Sequence, residues 1–160
     1  MKVVAVDPGL SGALAFIEVQ DSTVVGLGVL DMPIIKLATR IIVDGGDVAA
    51  WLRGRQPDVC VVEQVGAMPH QGVVSMFSFG RALGTVEGVI HAAGLRLERV
   101  TPAIWQRATG ASGLRDPRGR TLELMPRARG LLERKRDIGR ADALLMAFWW
   151  AMRQGGLPAQ

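Results

Sequence analysis

The stretch Lys2–Gly12, KVVAVDPGLSG, places one acidic residue directly after a short apolar run. Lys2–Val6 is rich in β-branched residues and is predicted to be a buried strand. A proline and two glycines then turn the chain, and Ala13–Val19 is predicted to be a second strand. Asp7 stands between the two. Aspartate is a good turn former, and a carboxylate at the mouth of a central strand can also hold a cation. This stretch alone leaves both readings open.

Size and composition restrict the class of protein. A chain of 160 residues with 49% apolar residues is expected to form one domain, residues 1–160, with a proper core. No uninterrupted apolar run approaches the roughly 20 residues of a membrane span, so no membrane partner is expected. The N-terminus lacks the apolar region and cleavage site of a signal peptide. A cytoplasmic location is therefore expected, in a bacterium or, for a phage protein, in its host.

The single cysteine and the two histidines form no metal-binding pattern. Cys60 lies within the apolar run Val59–Val62 and is predicted to be an inert core residue. The histidines, at positions 70 and 91, are too far apart in sequence to indicate a zinc site.

Positive charge is concentrated late in the chain. Residues 107–140 contain 10 of the 19 basic residues, nine of them arginine, but only 4 of the 15 acidic ones. A basic segment on an otherwise mildly acidic domain indicates a polyanionic partner, most simply nucleic acid. Arginine favours this interpretation because the guanidinium group forms paired hydrogen bonds with phosphate oxygens. The alternative is a solvated basic helix face.

The pattern of strands and helices predicts an α/β fold with a mixed sheet. A short link between the second and third strands indicates that the first three form an antiparallel meander. The fourth strand follows a helix and is expected to lie parallel to the first. The segment Ile34–Val43 is ambiguous. The predicted strands are Lys2–Val6, Ala13–Val19, Thr23–Leu30, Val59–Glu63 and Leu95–Val100. The predicted helices are Val48–Arg55, Val73–Ala93, a short helix from Pro102 through Arg107, Thr121–Arg136 and Gly139–Arg153, with a basic loop over Thr109–Arg120. Pro126 is expected to divide Thr121–Arg136 into two pieces or to delay its start.

Three carboxylates are expected to meet at one edge of this sheet. Asp7 ends the first strand, and Glu63 ends the strand predicted to lie parallel beside it. Asp142 lies one turn into an apolar helix, where a carboxylate is costly unless it is paired or binds a metal. Oxygen ligands favour Mg²⁺ or Mn²⁺, and two such ions can activate water and stabilise the leaving oxygen of a phosphodiester. Each residue also has an ordinary structural explanation, as a turn former, a surface residue or a helix-start acid.

Five stretches resemble the RuvC family of Holliday junction resolvases, which has the RNase H-like fold. They are VAVDPGLSGALA (4–15), VVEQV (61–65), GRADALLMA (139–147), GVVSMFSFGRALG (72–84) and VTPAIWQ (100–106). The last two are most similar to the phage-type branch, and the resemblance covers about residues 2–150. It implies a five-stranded mixed sheet flanked by helices. It also implies a homodimer that cuts four-way DNA junctions symmetrically, with two Mg²⁺ ions per active site and Mn²⁺ as a substitute.

The resemblance implies that Asp7, Glu63 and Asp142 belong to the catalytic and metal-binding set. Family members usually have a fourth acidic or histidine ligand three residues before the last acid, and that position here is Gly139. Asp137 is our candidate for the fourth ligand, with a helix cap as the alternative. Some members also have an aromatic wedge three residues after the strand glutamate. Here that position is Gly66, which leaves Met68, Pro69 or His70 as weak candidates.

Several polar residues are candidates for DNA contacts, mainly to backbone phosphate. They are His70, Gln71, Ser75, Arg107, Arg115, Arg118, Arg120, Arg134, Lys135, Arg136 and Arg140. Three other functions remain open at this point: another RNase H-fold nuclease acting on branched DNA or RNA, a non-catalytic junction-binding protein, and an actin-like ATPase. The ATPase normally needs two such lobes, and 160 residues supply one.

Overall fold

The computed structural model describes residues 1–64, 66 and 72–158, which form seven strands, five α-helices and a 3₁₀ helix. The strands are β1 (Lys2–Asp7), β2 (Ala13–Gln20), β3 (Thr23–Asp31), β4 (Ile34–Lys36), β5 (Ile41–Val43), β6 (Val59–Glu63) and β7 (Leu97–Val100). The helices are α1 (Gly45–Arg55), α2 (Val73–Ala92), α3 (Pro102–Thr109), α4 (Arg118–Leu124) and α5 (Ile138–Arg153), and the 3₁₀ helix spans Pro126–Leu131.

Five strands form one mixed sheet in the order β3-β2-β1-β6-β7. β1, β2 and β3 pair antiparallel, whereas β6 lies parallel to β1, and β7 parallel to β6. The predicted meander and the predicted parallel fourth strand are therefore confirmed. Strand β1 occupies the centre of the sheet, and four of its six residues are buried.

The two faces of the sheet are covered by different helices. Successive side chains of a strand point to opposite faces. Val3 and Ala5 of β1 therefore pack with α5, whereas Val4 and Val6 pack with α1 and α2. Strand β6 divides in the same way: Val59 and Val61 lie on the α5 side, and its cysteine lies on the other side. Cys60 is fully buried and burial raises its pKa to about 12, which agrees with an inert core residue.

Short polar signals define the helix starts. The side chain of Asp44 accepts hydrogen bonds from the backbone N–H groups of Gly46 and Asp47, at 2.9 and 3.1 Å, and so caps α1. Helix α1 thus begins at Gly45, three residues before the predicted start at Val48. Helix α3 begins with Thr101 at the cap and Pro102 at the first helical position, as predicted.

The structure decides two segments that the sequence left open. The ambiguous stretch Ile34–Val43 forms a small hairpin, β4–β5, which is separate from the main sheet. The segment Thr121–Arg136 is divided at Pro126, one of the two outcomes expected for it, because Pro126 cannot donate the next backbone hydrogen bond. Its boundaries differ from the prediction: helix α4 starts earlier, at Arg118, and the piece after Pro126 is a 3₁₀ helix that ends at Leu131.

Helix α2 leaves one apolar face open. Val73, Val74 and Phe77 are 83%, 83% and 71% exposed. Glycines at positions 80, 84 and 88 fall on one face of this helix, a spacing that predicts close packing against another element. In the described part of the chain, however, a Cβ at any of the three would meet nothing within 4 Å. By length and composition alone this helix would pass as a membrane span, although that is weak evidence for a single helix.

A candidate carboxylate centre at the edge of the sheet

Three carboxylates from separate elements converge at one edge of the sheet. Asp7 is the last residue of β1, and Glu63 is the last residue of the parallel strand β6, whose register pairs Val6 with Val62. Alternate side chains of each strand face α5, and Asp7 and Glu63 occupy the last of these alternate positions in β1 and β6. Both carboxylates therefore project toward that helix. Asp142 lies on α5, in its second turn. Strand parity and parallel pairing therefore bring together residues that are far apart in sequence.

The electrostatics show that the three groups interact. Burial, together with the negative charges of Asp7 and Glu63, raises the pKa of Asp142 to about 7. Burial also raises the pKa of Glu63, and the charge of Asp7 adds to that effect. Burial raises the pKa of Asp7, and a hydrogen bond from the backbone N–H of Gly9 to Oδ1, at 3.2 Å, lowers it by a smaller amount. At neutral pH Asp142 is therefore protonated in a fraction of the metal-free molecules.

Two glycines allow α5 to approach the β1–β2 turn. A Cβ at Gly12 would lie 2.2 Å from the carbonyl oxygen of Asp7, so no other residue fits there without a backbone shift. A Cβ at Gly139 would lie 3.0 Å from the Ser11 carbonyl oxygen and 3.2 Å from Oδ2 of Asp7. The position where the resemblance led us to expect a fourth ligand thus faces the site, but the turn backbone fills the space that a side chain would need.

Asp137, our candidate for the fourth ligand, is engaged elsewhere. It is 1% exposed, and Arg134 donates to both of its carboxylate oxygens, each at 2.7 Å. These hydrogen bonds, together with the positive charges of Arg134 and Arg140, hold the pKa of Asp137 below its usual range despite burial. The side chain does not cap α5 either. Asp31 at the end of β3 accepts from the same two arginines and completes a four-residue ion-pair network.

One residue of this site escaped the sequence analysis. The indole N–H of Trp105 on α3 donates a hydrogen bond to Oε1 of Glu63, at 2.9 Å. This bond lowers the pKa of Glu63 and so opposes the effect of burial. The only signal in the sequence was an isolated tryptophan early in the helix that follows β7.

Two grooves flank the β1–β2 turn and could admit a substrate. One groove runs between this turn and the start of α2 and is lined by Ser75, Ser78 and Phe79. The other runs toward β3 and the β4–β5 hairpin and is bordered by Asp31 and Arg136. Two predicted DNA-binding residues, Ser75 and Arg136, therefore lie beside the turn that follows Asp7.

The other predicted DNA-binding residues fall into three groups. Within the described part of the chain, Arg107, Arg115 and Lys135 are exposed and have no side-chain hydrogen bond or ion pair. Arginines at positions 118, 120, 134 and 140 are partly buried, and each forms an ion pair inside the chain. His70 and Gln71 lie outside the described residues, as do the wedge candidates Met68 and Pro69.

The chemistry of the site fits divalent cations. Its three side chains supply only oxygen atoms, and within the described residues none of them pairs with a lysine or arginine. Mutual repulsion among such carboxylates is relieved by Mg²⁺ or Mn²⁺, which both prefer oxygen ligands. In the described part of the chain no three acidic, histidine or cysteine side chains form a ready-made metal site. The carboxylates would therefore have to draw together around a cation.

Comparison with known proteins relates the chain to one structural group. No protein-family model and no curated protein sequence matches it. Among solved structures, RuvC of Thermus thermophilus matches with a TM-score of 0.65 and 20% identity over 100% of both chains, and its complex with a Holliday junction substrate matches with a TM-score of 0.61. The yeast mitochondrial Holliday junction resolvase Ydc2 matches 96% of this chain, and 79% of its own, at 14% identity and a TM-score of 0.61.

A viral protein of the same structural group also matches this chain. The fowlpox virus Holliday junction resolvase matches 96% of this chain, and 99% of its own, at 13% identity and a TM-score of 0.55. All of these identities are low, so the likeness concerns the fold. The predicted fold class is confirmed: the chain has the RNase H-like fold of the RuvC-type resolvases.

Proposed function

We propose that this protein is a metal-dependent, structure-selective endodeoxyribonuclease that resolves four-way DNA junctions by hydrolysing phosphodiester bonds symmetrically. One observation carries the proposal. On the fold of the RuvC-type resolvases, burial of Asp142 on α5, together with the charges of Asp7 at the end of β1 and Glu63 at the end of β6, raises the pKa of Asp142 to about 7. Carboxylates that repel one another while the fold keeps them close lower the stability of the folded protein unless they bind a cation.

In this proposal Asp7, Glu63 and Asp142 hold two Mg²⁺ ions, with Mn²⁺ as a substitute. Bound cations of this kind would activate water for attack and offset charge on the scissile phosphate. The protein contributes the placement of the three carboxylates at two strand ends and on one helix, from which their side chains can draw together around a cation. Since Asp142 is partly protonated near neutral pH, its carboxyl group must release that proton as a cation binds. Asp137 is absent from this ligand set because Arg134 occupies both of its oxygens.

The placement of charge supports branched DNA as the partner. Arg136 borders a groove beside the β1–β2 turn, next to a site that is itself acidic. Basic side chains at positions 107, 115 and 135 are also exposed on the surface of the domain. An acidic centre beside a basic surface suits a phosphate substrate when cations bridge the carboxylates and the phosphate. The solved complexes of the Thermus and fowlpox proteins contain Holliday junction DNA.

The open face of α2 supports a homodimer. Val73 and Phe77 are far more exposed than is usual for large apolar residues, and the glycines that follow would let a second helix approach closely. Symmetric cleavage of two strands also requires two active sites. Sedimentation should therefore give twice the mass of one chain, whereas Phe77→Asp should give monomers that retain the wild-type far-UV circular dichroism.

A comparison of four substrates tests the function. The purified protein is incubated with a four-way junction, a flap, a linear duplex and an RNA–DNA hybrid, each with Mg²⁺ and with EDTA. We expect symmetric cleavage of the junction that requires Mg²⁺, with little cleavage of the other three. Asp7→Asn should abolish cleavage and retain junction binding in a gel-shift assay.

The same experiment separates the alternatives. Preferential cleavage of the flap or the hybrid would favour another RNase H-fold nuclease. Tight junction binding with no cleavage by the wild-type protein would favour a non-catalytic junction-binding protein. Equal cleavage by the wild-type protein and Asp7→Asn would exclude the assigned carboxylate centre.

A further inference from the structure

Trp105 is buried directly behind the carboxylate centre. Its side chain is 1% exposed and packs in the core that α5 forms with one face of the sheet. The indole nitrogen lies 2.9 Å from Oε1 of Glu63. Indole is a hydrogen-bond donor only, so this contact must run from the ring to the carboxylate.

The fold brings this ring to Glu63 through the neighbouring strand. Strand β7 lies parallel to β6 with Val100 opposite Glu63, and the backbone N–H of Gln64 donates to the carbonyl oxygen of Val100 at 2.7 Å. Thr101 and Pro102 then start α3 at once, beside the end of β6. A residue in the first turn of that helix is therefore well placed to reach a side chain at the end of the adjacent strand.

We propose that Trp105 is a positioning residue that orients the Glu63 carboxylate for cation binding. This inference rests on the proposed function. The indole occupies Oε1 and sets the plane of the carboxylate, which leaves Oε2 directed away from the donor. A hydrogen bond to a ligating carboxylate fixes ligand orientation, and loss of such a contact typically lowers metal affinity or activity about 10- to 100-fold.

A second tryptophan provides a matched control. Trp150 is 4% exposed, and its indole nitrogen donates to Oε2 of Glu98 at 2.8 Å. The pair has the same chemistry and similar burial, but Glu98 is not one of the three carboxylates of the centre. Trp105→Phe and Trp150→Phe each remove one indole donor from one glutamate and keep an aromatic ring in place.

The two variants are compared in junction cleavage as a function of Mg²⁺ concentration. For Trp105→Phe we expect a rise in half-saturating Mg²⁺, or a fall in kcat at saturating Mg²⁺, of about 10- to 100-fold. Junction affinity measured in EDTA should stay within about twofold of wild type, because the hydrogen bond touches no DNA. Trp150→Phe should match the wild-type protein in all three quantities. Equal behaviour of the two variants would overturn the inference.

A spectroscopic readout keeps the inference testable if Trp105→Phe does not fold. In ¹⁵N-labelled wild-type protein, the indole N–H signal assigned to Trp105 should move on addition of Mg²⁺ alone and should be displaced in Glu63→Gln. The Trp150 signal should do neither. A Trp105 signal that is indifferent to both changes would refute the positioning role.

The readouts also distinguish this inference from the proposed function. If the wild-type protein binds Mg²⁺ and shifts the Trp105 signal but cleaves no DNA, the nuclease assignment fails and the positioning role stands. If the junction is cleaved and Trp105→Phe behaves like Trp150→Phe, the nuclease assignment stands and the positioning role fails.

Discussion

Replacement of Asp142 by asparagine should stabilise the metal-free protein and abolish its stabilisation by Mg²⁺. Burial and the charges of Asp7 and Glu63 raise the pKa of Asp142 from an ordinary value of 3.8 to about 7. The folded state therefore binds more protons than the unfolded state between these two values. Stability must fall as the pH rises through this window, and the loss is complete above about pH 7.

The size of the effect follows from the pKa. At 1.36 kcal/mol per pKa unit, a rise from 3.8 to about 7 corresponds to a ceiling of roughly 4 kcal/mol. Asp142 is partly exposed, so water screens some of the repulsion and lowers the expected value to about 2–4 kcal/mol. Asparagine has a similar shape and cannot ionise. The variant should therefore match the wild-type protein near pH 4 and exceed its stability by that amount at pH 8.

Urea unfolding in EDTA at pH 4 and pH 8 measures this difference. In Mg²⁺ at 100 times its dissociation constant, the wild-type protein should gain about 2.7 kcal/mol and the variant much less, because the variant has lost a ligand. Asp21→Asn is the control, because this carboxylate is exposed in the β2–β3 turn and should change stability by less than about 0.5 kcal/mol. A variant less stable than the wild-type protein at pH 8 in EDTA would refute the repulsive cluster.

Three other substitutions test separate parts of the structure. Gly139→Ala should destabilise the fold by about 1–3 kcal/mol in urea unfolding, because its Cβ would stand 3.0 Å from the β1–β2 turn backbone. Arg134→Ala should lower the free energy of unfolding at pH 7, because it leaves Asp137 buried with much of its partner charge removed. The folded pKa of Asp137 is below 3.8, so this stabilisation is present above about pH 4 and is lost as the pH falls further. Arg115→Ala should reduce the salt dependence of junction binding by about one unit of slope.

Each of these results has an outcome that would contradict its basis. Gly54→Ala is the control for Gly139→Ala, because a Cβ at Gly54 meets nothing within 4 Å. This variant should gain about 0.5–1 kcal/mol in the free energy of unfolding. A similar gain for Gly139→Ala would mean that α5 does not touch the turn. A deficit for Arg134→Ala that is equally large at pH 2 and pH 7 would exclude the ion pair as its cause. An unchanged salt slope for Arg115→Ala would place the DNA elsewhere.

The sequence was sufficient to predict the sheet and its three acidic positions. Apolar runs of strand length ended at Asp7 and Glu63, and the helix immediately before the second of these strands favoured a parallel arrangement. The carboxyl ends of parallel strands meet at one edge, so the proximity of the two acids followed from topology. Asp142 was added because a carboxylate early in an apolar helix is costly unless it is paired or binds a metal. Pro126 divides residues 121–136 as expected, but the helix before it starts at Arg118, which the sequence pattern did not show.

The sequence by itself determined which residues form the carboxylate centre, and the tertiary structure decided what surrounds each of them. Asp137 is near Asp142 in sequence, yet its partner is Arg134, which also donates to Asp31, an acid 106 positions before Asp137 at the end of β3. Trp105 reaches Glu63 across 42 residues, and Gly139 meets a turn that lies near the start of the chain. Local patterns report strands, turns and caps because these depend on near neighbours. Contacts of this kind depend on how the layers pack, and only the folded chain specifies that.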